Sequence, residues 1–160
     1  MKHTKNILKS LLITVMALSL LAVSCSKDEG GSKPTSPTPT KLEIAVEAVK
    51  AVAIGAEEAA TQVKTDGADA TEPTAILVEG VATAAEKAKA AVEEAASTNG
   101  KITDATAKQE IKAAAEKITK AAQSITTAAN SIKDTNVKNK ITAAAKRITE
   151  AAQSITTAVS

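Results

Sequence analysis

The sequence has no phenylalanine, tyrosine or tryptophan, and only one histidine and one cysteine among its 160 residues. Without aromatic rings, the chain lacks the usual stacking surface for nucleic-acid bases and sugars. The histidine is His3, so acid–base catalysis near neutral pH by the rest of the chain would depend on carboxylates or lysines. The sequence shows no clustered pair of such groups. We therefore predict a protein that is not an enzyme, with no cofactor and no nucleic-acid partner.

An apolar stretch near the start of the chain is too short to cross a membrane. Residues 1–10 carry three lysines and no acid, and residues 11–23 are apolar apart from one threonine and one serine. At 1.5 Å per residue, the 13 residues of this stretch span about 20 Å, against roughly 30 Å for the hydrocarbon core. The pattern is typical of an export signal. The small Ser24 precedes Cys25, so we predict a signal peptide over residues 1–24 with cleavage after Ser24.

Residues 21–25 read Leu-Ala-Val-Ser-Cys and resemble the cleavage site of bacterial lipoprotein precursors. That family usually has leucine three residues before the cysteine. Here Ala22 takes that place and Leu21 lies one residue further back, as in the looser versions of spirochaetes. The resemblance implies that Cys25 becomes the mature N-terminus and carries S-diacylglycerol and N-palmitoyl groups. An acylated Cys25 is neither a nucleophile nor a metal ligand, so we predict no metal site. The alternative is an ordinary secretory signal cleaved near Ala22, which would leave a free thiol.

The segment after Cys25 has the composition of a flexible linker. Residues 26–40 contain two glycines and three prolines among serines and threonines, and such a segment cannot form a core. Its 15 residues reach at most about 50 Å when extended. Without residues 1–24 the chain has 17 basic and 18 acidic side chains, so the excess of positive charge belongs to the signal. We predict an acylated N-terminus and linker over residues 25–40 and a helical domain over residues 41–160.

Apolar residues recur with heptad spacing from residue 42 onward, which predicts helices. Alanine, the best helix former, accounts for 33 of the 136 residues after Ser24, and isoleucine, leucine and valine together account for 22. Gly67 is predicted to turn the chain after the first helix, Pro73 to lie in the first turn of the second, and Asn99-Gly100 to end it. The apolar stripe of the first helix comprises Leu42, Ala45, Val46, Val49, Val52, Ala53, Ala56, Ala59, Ala60 and Val63. That of the second comprises Leu77, Val78, Val81, Ala84, Ala85, Ala88, Ala91, Val92 and Ala95.

The last part of the chain contains a duplicated unit of about 30 residues. Residues 111–130 and 141–160 are identical at 14 of 20 positions, and Asp104 and Asp134 occupy matching positions as candidate N-caps. Isoleucine recurs every seven residues within each copy, with alanines three and four residues later. These isoleucines are Ile111, Ile118, Ile125 and Ile132, then Ile141, Ile148 and Ile155. Large and small residues alternating along a seam let helices approach closely, so the seams also predict self-association.

The fold that these patterns predict is all-α, an antiparallel four-helix bundle built from Ala-rich heptad helices. Its predicted helices cover residues 41–64, 73–98, 104–132 and 135–159. Residues 134–136 hold neither glycine nor proline. If the chain does not turn there, residues 104–159 form one long helix, and the protein is an extended coiled coil.

The predicted function is that of a lipid-anchored lipoprotein of the cell outer membrane, with a structural, antigenic or adhesive role. The chain is similar in kind to the helical surface lipoproteins of spirochaetes, which have the same anchor and Ala-, Lys- and Thr-rich helices. The charged residues just after Cys25 and the Pro/Thr-rich linker favour a domain displayed at the surface, held to the membrane by its lipid, over one that faces the periplasm.

Two other functions remain open from the sequence. The first is a periplasmic envelope spacer similar to murein lipoprotein, which is also alanine-rich, heptad-patterned and nearly free of aromatic residues. That family ends in a lysine that bonds to peptidoglycan, whereas this sequence ends in Ser160. The second is a helical binding module for a host protein or a small ligand.

Overall fold

The computed structural model describes residues 39–98 and 102–160. It contains four α-helices: α1 (Lys41–Asp66), α2 (Glu72–Thr98), α3 (Ala105–Ala129) and α4 (Thr135–Ala158). A short 3-10 turn, Gly67–Asp69, follows α1. The helices pack into a four-helix bundle, which confirms the predicted fold class. The predicted bounds agree with these helices to within three residues.

The bundle consists of two antiparallel hairpins packed side by side. The first hairpin is α1 and α2 (residues 39–98), and the second hairpin is α3 and α4 (residues 102–160). An ion pair of 2.9 Å joins Lys41 at the start of α1 to Glu94 at the end of α2, so these two helices are antiparallel. Across the hairpins, α1 packs on α3 and α2 on α4. Lys50 pairs with Glu110 at 3.1 Å. The first turns of α1 and α3 line one groove and their last turns line another, so α1 and α3 have the same direction.

The core is built from the stripes that the heptads predict. Every residue of the predicted α1 stripe is buried except Leu42, which packs at its edge, and the α2 stripe is buried except for Ala91, which is partly exposed. The isoleucines of the second hairpin are buried as well. Because alanine occupies most of the remaining core positions, the helix backbones can approach closely, and the burial of isoleucine, leucine and valine supplies most of the hydrophobic stabilisation.

The alternative of a single long helix over residues 104–159 is wrong, because the chain turns between α3 and α4 without glycine or proline. The backbone N–H groups of Asn130, Ser131 and Ile132 donate to carbonyls three residues earlier, which tightens the end of α3. Asp134 then adopts an extended conformation, and its carboxylate caps α4 by accepting from two backbone N–H groups at 2.8 and 3.1 Å. As a result α3 ends at Ala129 rather than at residue 132.

The other predicted turn and cap residues have the expected conformations where the structure describes them. Gly67 has φ +53°, a conformation that glycine adopts without strain. Pro73 lies in the first turn of α2, and the Asp104 carboxylate accepts from the backbone N–H of Ala107 at 2.7 Å at the start of α3. The predicted helix end at Asn99-Gly100 lies outside the described residues.

Candidate functional site at the distal end of the bundle

The residues that the sequence singles out as sites, Ser24 and Cys25, lie outside the described residues. The predicted cleavage and acylation therefore remain predictions. Within residues 39–98 and 102–160, no helix combines the length and apolar character needed to span a bilayer.

The two ends of the bundle contain different parts of the chain. We call the end at which the chain enters α1 the proximal end, and the opposite end the distal end. At the proximal end the chain enters α1 at Thr40, whose hydroxyl accepts from the backbone N–H of Glu43 at 3.2 Å, and whose own N–H donates to the Glu43 carboxylate at 2.7 Å. This capping box fixes the entry to the helix. Ser160 lies at the same end, since its carbonyl accepts from Lys108 Nζ near the start of α3 at 3.5 Å. The distal end carries both hairpin turns, residues 67–71 and 130–134.

The two turns of the distal end contact each other directly. The backbone N–H of Lys133 donates to the carbonyl of Ala68 at 3.1 Å. The side chain of Lys133 also pairs with Asp69 at 3.2 Å, although both side chains remain largely exposed. Because one residue makes both a backbone and a side-chain contact, the two hairpins present their turns as one continuous surface.

A partly buried polar cluster holds the first of these turns. Thr74 is the one buried polar side chain in the described part of the chain, and its hydroxyl donates to the carboxylate of Asp66. The second oxygen of Asp66 accepts from Gln62 Nε2 at 2.7 Å. The cluster therefore ties the last turn of α1 to the first turn of α2. Thr74 is not part of the predicted α2 stripe, because that stripe was identified from apolar residues and threonine is polar.

Two open grooves flank the distal end, one on each side of the contact between the hairpins. The groove between α1 and α3 has a volume of about 610 Å³, and the groove between the starts of α2 and α4 has about 650 Å³. The first is lined by Lys64, Gly67, Lys120, Gln123, Ser124, Thr127, Ala128 and Ser131. The second is lined by Ala70, Thr71, Glu72, Asp134, Asn136, Val137, Asn139 and Lys140. Six of the eight residues that line each groove have polar or charged side chains, including two carboxylates in the second groove. Both grooves therefore offer hydrogen-bonding and ionic groups.

Ion pairs between α2 and α4 extend from the distal end along the bundle. Arg147 donates to Glu86 through Nε and Nη2, both at 2.8 Å, in a bidentate pair. This hydrogen bonding lowers the pKa of Glu86 and raises the pKa of Arg147. Nearer the turns, Lys140 donates to Glu72, which raises the pKa of Lys140. These pairs join the two hairpins on this side of the bundle.

Comparison of the chain with protein-family models, with curated proteins and with solved structures finds no match.

Charge is distributed unequally between the hairpins, which sequence reasoning on the whole chain missed. Residues 39–98 contain five basic and 11 acidic side chains, a balance of −6, whereas residues 102–160 contain nine basic and five acidic ones, a balance of +4. The near-neutral total conceals this difference, and a separate count for each half of the chain would have found it. Three of the four ion pairs between the hairpins join an acid of the first to a base of the second.

The groups available at the distal end are hydrogen-bonding and ionic groups. Within the described ranges, no three of the residue types His, Cys, Asp and Glu are grouped so that they could hold a metal ion. The distal end offers ammonium, carboxylate, amide and hydroxyl groups on a surface held by contacts between two turns. Such a surface can bind a partner through hydrogen bonds and ion pairs.

Proposed function

We propose that the protein is a lipid-anchored lipoprotein that displays its bundle on the outer surface of the outer membrane, with the distal end as the contact surface in an adhesive or antigenic role. The observation that supports this proposal is that the chain enters the bundle at one end and turns at the other. The chain enters α1 at the proximal end, after the predicted linker, and both turns lie at the other end. With helices of 24 to 27 residues, the two ends are about 36–40 Å apart.

The shape of the bundle also bears on the spacer alternative. A chain folded into two hairpins extends about half as far as one in which α3 and α4 continue as a single helix. A spacer between two layers of an envelope depends on reach, so the folded bundle favours display over spacing. The predicted acylation of Cys25 would account for the anchored part of the proposal, because two or more acyl chains give stable membrane attachment whereas one gives only reversible binding.

The test of display uses a cysteine introduced at the distal end. In Asn130→Cys the new thiol lies at an exposed position, and a membrane-impermeant maleimide should label it on intact cells. Ala122→Cys is the matched control, because Ala122 has no exposed surface and its thiol should be protected in the folded bundle. Labelling of the Asn130→Cys variant only after lysis would contradict display and would favour the periplasmic spacer.

The test of the anchor uses Cys25 itself. Labelled palmitate should enter the wild-type chain and not Cys25→Ala, and the variant should keep residues 1–24. Normal processing of the variant, or release of the wild type from membranes without detergent, would contradict the lipoprotein proposal.

A further inference from the structure

Only two large apolar side chains in the described residues are strongly exposed, Ile54 (59%) and Ile76 (49%). Ile54 lies halfway along α1, and helical spacing places Glu47, Lys50 and Glu57 on the same side of the helix. Because Lys50 pairs with Glu110, this side of α1 adjoins α3. The two parallel helices thus form one continuous surface, which we call the α1–α3 face.

The exposed isoleucine and a hole on the neighbouring helix lie at the same height on this face. The ion pair places Lys50 beside Glu110, and since both helices have the same direction, Ile54 and Ala114, each about one turn further along, lie at similar heights. Four α3 residues spaced at i, i+3, i+4 and i+7 surround a hole of the kind that receives one side chain of a packing helix. They are Glu110, Ala113, Ala114 and Lys117. Ala113 is exposed and Ala114 is buried, so the hole opens onto the face on its Ala113 side, where the small alanine side chain leaves room.

The charges on the face are complementary in the same register. Glu57 of α1 is level with Lys117 of α3, one heptad beyond the pair of Lys50 and Glu110. Both side chains are exposed, and neither takes part in an ion pair among residues 39–98 and 102–160. The α1 edge of the face therefore offers an apolar side chain and a carboxylate, and the α3 edge offers a hole and an ammonium group.

We propose that the α1–α3 face binds a second copy of this chain around a two-fold axis parallel to the bundle. Such an axis lays α1 of each copy on α3 of the other in the same direction, so each Ile54 enters the hole at Ala113 of the other copy. Each Glu57 then pairs with Lys117 across the interface, which makes the face self-complementary. Both proximal ends lie on one side of the dimer, so two copies attached to one membrane can pair. The pairing itself does not require the proposed lipid anchor.

The first test compares two exposed isoleucines by sedimentation of residues 25–160 carrying Cys25→Ser. Ile54→Lys should weaken the dimer at least about tenfold, because the lysine ammonium would lose its water in the hole. Ile76→Lys introduces the same change on α2, away from the face, and should leave the dimer intact. Unchanged helical circular dichroism in both variants would show that the bundle still folds. A wild type that stays monomeric at every concentration, or equal effects of the two substitutions, would overturn the proposal.

The second test reverses the charges across the interface. Glu57→Lys or Lys117→Glu alone places like charges opposite each other and should weaken the dimer several-fold, and the double variant should restore it. The restored dimer should remain sensitive to salt, as expected of exposed charges. A double variant no better than the single ones would contradict the pairing of Glu57 with Lys117.

Disulfide formation distinguishes the proposed direction of pairing from its reverse. In the Cys25→Ser background, Ile54→Cys and Ala113→Cys each provide one thiol per chain. A mixture of the two variants should form a crosslinked heterodimer, whereas Ile54→Cys alone should not crosslink. Crosslinking of the Ile54→Cys variant with itself would place two α1 helices against each other, and would overturn the parallel two-fold arrangement.

Discussion

The two hairpins of the bundle have the same shape but different means of stabilisation. In the first hairpin the largest fully buried side chains are valines, and the balance of charge is −6. In the second hairpin they are mainly isoleucines at strict heptad spacing, and the balance is +4. The second hairpin, which contains both copies of the repeat, therefore has more apolar volume in its core and a more regular seam. The comparison shows that an alanine-rich bundle depends on a few larger residues and on complementary charge between its halves.

The largest effect should come from removing one large core residue in each hairpin. Ile118 and Val78 are both without exposed surface. Ile118→Ala removes one methylene more than Val78→Ala does, and should lower the free energy of unfolding by about 2–4 kcal/mol, against about 1–3 kcal/mol for Val78→Ala. Urea denaturation followed by helical circular dichroism measures both. Thr119→Ala, at the neighbouring and partly exposed position, is the control, and a larger loss for Val78→Ala would show that the first hairpin dominates the core.

An intermediate effect should come from the N-caps of the second hairpin. Asp134 accepts from two backbone N–H groups and Asp104 from one. Asp134→Ala should therefore cost about 1–2 kcal/mol and Asp104→Ala about 0.5–1 kcal/mol in thermal or urea unfolding. Asp134→Asn keeps an acceptor oxygen and should recover most of the loss.

The turn itself provides a second readout for the same substitution. Without the Asp134 side chain, α4 would lose the cap at which it begins. The free-energy difference between the bundle and a chain in which α3 and α4 form one long helix would then become smaller. Solution scattering measures this as an increase in maximum dimension. Unchanged dimensions and unchanged stability in Asp134→Ala would show that tertiary packing alone determines the turn.

The smallest effect should come from the ion pair of Glu86 with Arg147 between the hairpins. Both side chains are more than 40% exposed, so Glu86→Gln should cost no more than about 1 kcal/mol at neutral pH. The pKa of Glu86 is lowered from its ordinary value of 4.5 by the hydrogen bond to Arg147. The pair therefore stabilises the fold above that value, and its contribution is lost as the pH falls through the lowered pKa.

The measurement is the difference in unfolding free energy between the wild type and Glu86→Gln from neutral pH down to below pH 4.5. The difference should shrink as Glu86 of the wild type becomes protonated. Glu93→Gln is the matched control, because the ion pair of Glu93 among the described residues lies within α2, with Lys89 at 3.7 Å. A difference that is constant with pH would contradict an ionic contribution from Glu86.

Local signals in the sequence predicted most of the fold and part of the site. The heptads predicted which residues are buried, because a helix repeats its face with a period that the apolar residues follow. Gly67, Pro73, Asp104 and Asp134 were identified because their chemistry acts on neighbouring backbone groups. The capping box at Thr40 was also readable from local spacing, as a threonine with glutamate three residues later. The contacts between the two turns of the distal end were not predictable, because they join residues about 65 positions apart.

The sequence by itself determined that this protein is helical, which faces its helices bury and where the chain can turn, because each of these depends on residues within about one heptad. Only the tertiary structure decided that the chain does turn before Asp134, that α1 packs on α3 and α2 on α4, and that an acidic hairpin faces a basic one. These features depend on which helices become neighbours. Heptad spacing cannot specify that choice, because every helix of this chain presents a similar alanine-rich stripe and many pairings would bury it equally well.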